Sequence, residues 1–105
     1  MATRSMISAT LLQDTYVPAG LDACLAAARN GDPEAYYDLG LMFSSGNSVE
    51  VDLVEAHKWF NLAVIKGMDA AKSYRAELAS EMTMEEISAA QKSAREWLAG
   101  DSTTH

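Results

Sequence analysis

The fold is decided by residues 35–71, Ala35 to Ala71: AYYDLGLMFSSGNSVEVDLVEAHKWFNLAVIKGMDAA. Two runs at helical spacing flank a short polar loop. In the first, Ala35, Leu39, Met42 and Phe43 recur on one face; in the second, Leu53, Ala56, Trp59, Phe60 and Ala63 do the same. Between them, Gly46 suits the left-handed residue after a helix, and Asp52 suits an N-cap. Gly67 closes the second run as Gly46 closes the first. The pattern predicts an antiparallel helix pair, about one repeat unit of an α-solenoid.

Before this pair, residues 1–19 show no sustained periodicity and are expected to form an arm. Met6, Ile7, Leu11 and Leu12 would make one amphipathic turn on the first helix or belong to a frayed end. Tyr16-Val17-Pro18-Ala19-Gly20 reads as a breaker. Leu21, Leu25 and Ala28 mark a helix over about 20–30, ended by Asn30-Gly31. Asp32-Pro33-Glu34 then starts the helix over 33–45, with Asp32 as cap and Pro33 where a missing N–H costs nothing. The second run predicts a helix over 53–66.

Asp69 is the cap expected for a helix over 69–81, lined by Ala70, Ala71, Tyr74, Leu78 and Met82. Thr83 and Glu86 hold the reciprocal positions of a capping box. The last helix carries Ile87, Ala90, Ala94, Trp97 and Leu98, with Gly100 as its stop and residues 100–105 as a frayed tail. The chain therefore reads as all-α, about five helices and no strand, since no segment alternates with period two.

An internal repeat supports this. Gly31 and Gly67 lie 36 residues apart, as do Ala27 and Ala63, and Ala35 and Ala71. Ala56-x-x-Trp59 recurs as Ala94-x-x-Trp97 at a spacing of 38. Each pair buries one face by itself, and stacking neighbours covers the rest.

These residues resemble the Sel-one-like repeat, a helical-pair repeat related to tetratricopeptides. The matching positions are Ala35, Leu39-Gly40, Phe43, Gly46-Asn47-Ser48-Val49-Glu50-Val51-Asp52, Ala56, Trp59-Phe60, Ala63 and Gly67. Ser48 stands where the family usually carries its second glycine. Met82-Thr83, Ile87, Ala90-Gln91 and Ala94-Arg95-Glu96-Trp97 are similar to the closing segment of many small bacterial members. Arg75-Ala76 stands at the 36-residue offset from Leu39-Gly40, so the second unit reads as a degenerate cap. The resemblance implies a short α–α superhelix over 20–99, with one full repeat over 33–67 and the capping unit over 68–99. It implies an adaptor or scaffold role, without specifying a partner. Gly40 is expected where two helices approach closely, and Trp59 and Phe60 between them.

Charge narrows the partners. The 105-residue chain carries a formal net charge of −7, which opposes binding to a phosphate backbone or an anionic membrane surface. Between Arg29 and Lys58 there is no Lys or Arg, while Asp32, Glu34, Asp38, Glu50, Asp52 and Glu55 all fall there. That field favours a basic partner; its other reading is a solvated surface with helix-start carboxylates. No run reaches the length of a membrane span, and the N-terminus lacks the apolar core and cleavage site of a signal peptide. A single cysteine, Cys24, excludes an intramolecular disulfide framework and suits a reducing compartment, so a cytoplasmic location is expected.

Candidate chemistry is sparse. The two histidines, His57 and His105, have no partner at metal-ligand spacing, and His57 is expected to be partly exposed. Cys24 reads as an inert buried thiol. Glycine-rich phosphate loops and nucleophile-elbow patterns are missing from the sequence, so no cofactor, metal or catalysis is expected. Cysteine-rich relatives discussed as hydrolases share cysteines that this chain lacks. Tyr37 is expected in the core or between units. By the resemblance, Tyr36 falls on the concave groove. It reads either as an exposed aromatic anchor for a partner peptide or as lateral packing against the first helix or arm. Asp38, Leu41 and Met42 are read as neighbours of that surface. The expected function is a non-catalytic interaction module that captures a partner protein or peptide. Tyr36 would be its anchor, and Asp32, Glu34 and Asp38 its acidic complement. The alternative is a self-associating structural protein, a homodimer through the repeat ends or the N-terminal arm.

Overall fold

The computed structural model describes residues 20–103, with side chains through residue 100. Five α-helices and no strand occur among the described residues: α1 (Leu21–Arg29), α2 (Pro33–Ser45), α3 (Leu53–Ile65), α4 (Ala70–Ala79) and α5 (Met84–Thr103). The expected N-terminal arm, with its breaker at Pro18, lies outside these residues.

Local chemistry sets most boundaries. The Asp32 carboxylate accepts a hydrogen bond from the Glu34 N–H at 3.0 Å, and Asp52 accepts one from Glu55 at 3.1 Å. The capping box forms in both directions: Glu86 N–H to Thr83 Oγ1 at 3.1 Å, Thr83 N–H to Glu86 Oε1 at 2.9 Å. Asp69 departs from expectation. It has helical backbone angles and makes no capping bond; its carboxylate instead meets the Lys72 ammonium at 3.5 Å on an exposed surface. Gly100 does not stop α5, which continues to Thr103. A glycine only permits a helix to end, and here no left-handed angle is adopted at it.

The repeat is visible in the hydrogen bonds. After α1, Gly31 has φ 81° and donates to Ala28 O, while Asp32 N–H donates to Ala27 O. After α3, Gly67 has φ 97° and donates to Val64 O, while Met68 N–H donates to Ala63 O. The same two bonds recur 36 residues apart, and the left-handed glycine satisfies the carbonyls left over at each helix end.

α3 is the helix on which the others assemble, packing against α2, α4 and α5, while α1 packs on α2. Its buried side chains include Ala56, Trp59, Phe60, Leu62 and Ala63. α4 follows and packs on α3. α5 then lies against α3 and reaches α2 through Trp97.

Gly40 is buried where α2 crosses α3. A Cβ there would lie 2.6 Å from the ring of Phe60, which is fully buried. A ring enclosed on all sides cannot yield cheaply, so the close approach requires the hydrogen side chain. Gly40→Ala gains ~1 kcal/mol of helix propensity but overpacks this contact. The expected net loss is about 1–2 kcal/mol by urea denaturation, largely relieved in a Phe60→Leu background.

Ser48 is the described non-glycine residue with positive φ, 71°. This is the position where the resembled repeat usually carries its second glycine, and serine bears the steric cost of the left-handed region. Ser48→Gly is expected to stabilise the chain by roughly 0.5–1 kcal/mol with an unchanged denaturant slope.

Candidate functional site

The acidic edge belongs to the first half of α2. Asp32 and Glu34 are exposed at its start, where carboxylates also complement the helix dipole. Asp38 stands four residues beyond Glu34 and so shares its helix face. It is half-buried, and no hydrogen bond or ion pair reaches its carboxyl among the described residues. Burial pushes this carboxyl up to about 6. The edge is thus two exposed carboxylates and one partly desolvated carboxyl.

Tyr36 does not anchor a groove. It is 1% exposed, stacked on Trp59 with ring centroids 5.9 Å apart and 26° between planes. Its hydroxyl oxygen accepts a hydrogen bond from Trp97 Nε1–H at 3.4 Å. The cover comes from α5, at a separation of 61 residues. Leu41 and Met42 are core residues as well, 2% and 1% exposed, and leave the expected surface with Tyr36. Of the predicted set, Asp32, Glu34 and Asp38 remain accessible.

Around Tyr36 the rings continue. Trp59 and Trp97 meet edge to face, with centroids 4.8 Å apart. The Lys58 ammonium lies 4.3 Å from the Trp59 ring centre, 5.2 Å from that of Trp97, and 3.7 Å from the Glu55 carboxylate. Glu55 also accepts the Trp59 Nε1–H at 3.1 Å. These groups fasten α5 to α3, and the cation over the indoles was not foreseen from sequence. Tyr37, expected in the core or between units, meets Phe60 of α3 and Tyr74 of α4 edge to face. Burial, then the Tyr74 hydroxyl beside it, pushes the Tyr37 phenol up to about 12.

His57 is buried, 4% exposed, not partly exposed as its polar neighbourhood in sequence suggests. Burial, then the Arg75 charge, lowers its pKa from the usual histidine value. Cys24 is buried, and burial pushes its thiol up, away from nucleophilic thiolate. Among the described residues no group of three or more His, Cys, Asp or Glu side chains could hold a metal ion. Nor is any described helix long and apolar enough to cross a membrane.

With this geometry in place, the chain is of a helical-repeat class: antiparallel helices joined by repeated left-handed glycine closures. It is similar to the alginate biosynthesis protein AlgK of Azotobacter vinelandii, 36% identical over 56 residues. The match covers 53% of this chain and 12% of that protein. No family model matches the chain, and no solved structure does.

The raised Asp38 pKa has a sign. Its folded value of about 6 lies above the ordinary 3.8, so its contribution to stability is full below pH 4 and lost as pH rises to 6. Asp38→Asn is therefore expected to raise the melting temperature at pH 8 and leave it little changed near pH 4. The gain is discounted because about half the side chain still sees water.

Proposed function

We propose that the chain is a non-catalytic protein-interaction module that binds a basic segment of a partner protein along the acidic edge of α2. The observation carrying this reading is Asp38. Its carboxyl is half out of water with no counter-charge or hydrogen-bond donor among the described residues. A cation arriving there gains more than at a fully solvated carboxylate, because the carboxyl has already lost part of its hydration. Glu34 one turn away and Asp32 at the helix start extend the negative field, and no Lys or Arg falls between Arg29 and Lys58 to neutralise it.

The scaffold suits the role. Aromatic rings and the one described histidine are committed to packing, whereas the acidic edge is outward. The likeness to a segment amounting to 12% of a longer protein fits a portable unit. The alginate chemistry in that protein's name does not follow from a match of this extent.

Salt and substitution test the reading together. Proteins captured by the immobilised chain from a native lysate at low salt should be lost from a Glu34→Gln/Asp38→Asn variant that melts no lower than the wild type. The same proteins should elute as ionic strength rises. Removing two carboxylates should weaken a purified captured partner on the order of tenfold. An unchanged set of captured proteins removes this edge as the site.

A further inference from the structure

We propose that His57 is the catch of an acid-sensitive latch: protonating its buried imidazole loosens α4 from α3 while α2 stays paired with α3. The geometry begins with burial. His57 is 4% exposed, and its Nδ1 is the described buried side-chain nitrogen or oxygen without a hydrogen-bond partner. A neutral imidazole can leave one nitrogen bare at modest cost. An imidazolium cannot, because both nitrogens then carry donor protons and the ring carries a charge.

The neighbouring charge makes the position worse for a cation. Arg75 of α4 is held to α3 by a 2.7 Å bond from its guanidinium to Asn61 Oδ1, and Asn61 lies one helical turn from His57. Arg75 is the charged group that bears on the imidazole. Neither Glu34 nor Asp38 of α2 offsets it, and neither do Lys92, Arg95 and Glu96 of α5, which are exposed. On its own helix, Lys58 and Glu55 are engaged with each other and with the indoles. A second cation on α3 would therefore stand beside the guanidinium that ties α4 down. α4 is the helix to yield, since the repulsion is between α3 and α4. α2 keeps its hold through the Gly40–Phe60 crossing and the Tyr36–Trp59 stack.

The direction is fixed by linkage. The folded pKa is below the ordinary 6.5, so stability from the neutral ring is full above pH 6.5 and lost as pH falls through the folded value. Asp38 acts with opposite sign as pH rises from 3.8 to about 6, so the latch is read in an Asp38→Asn background. His105 supplies a second imidazole in the same sample, since the sequence has two histidines.

The experiment is an NMR titration of the full chain from pH 8 to 4.5, with amide hydrogen exchange corrected for intrinsic rate. His57 should titrate below His105, and its ionisation should coincide with faster exchange across Ala70–Ala79. Each unit by which pH falls from 6.5 toward the folded pKa should raise α4 opening by up to about tenfold relative to α2, levelling off below that pKa. In His57→Gln the α4 exchange should lose this pH dependence, whatever its absolute stability. If His57 titrates at or above His105, or α2 and α4 lose protection in parallel, the latch is overturned.

Discussion

One indole holds the assembly together. Trp59 projects from α3, stacks on Tyr36 of α2 and meets Trp97 of α5 at its edge. Its own N–H is satisfied one turn back by Glu55, and Lys58 lies over its face. A buried aromatic of this size supplies much of the apolar area available to a small domain. Because the same ring touches three helices, α5 can dock without an extensive contact to α4. α5 is thus attached through side chains of α2 and α3, not through α4, its neighbour in sequence.

Legibility divides along the range of the interaction. Caps at Asp32 and Asp52, the reciprocal box at Thr83 and Glu86, and the glycine closures depend on residues a few positions apart, and each could be read from the chain. Gly40 and Phe60 could be read because their spacing belongs to a paired-helix pattern. The sequence leaves Tyr36 open between an exposed anchor and lateral packing, and suggests partial exposure for His57, because helical periodicity describes one face of one helix at a time. Their burial depends on surrounding elements that local spacing does not place; for Tyr36 the cover is α5, 61 residues on. Asp69 failed differently: a residue of the right type occupied the right place, yet an exposed ion pair to Lys72 took its carboxylate.

The acidic edge was visible as a gap in the basic residues, but its gradient was not. Composition counts Asp32, Glu34 and Asp38 equally. The fold separates them, leaving the first two in water and drawing the third toward the core. Asp38 consequently weakens the domain at neutral pH while sharpening its attraction for a cation. The proposed docking of a cation at Asp38 would set holding a shape against meeting a partner, a tension common where a binding group is built into a stable frame. Ser48 carries a backbone cost of similar kind, in the loop between α2 and α3, and nothing in the structure explains a gain from it.

The two glycine closures make chain length a discrete quantity. Gly31 and Gly67 end their helices with congruent hydrogen bonds and hand the backbone onward in the same way. A segment of 36 residues cut between equivalent points of these joints would begin and finish on matching geometry. Such a chain grows or shrinks by whole modules without redesigning a junction, whereas an insertion of any other size must be absorbed inside a loop.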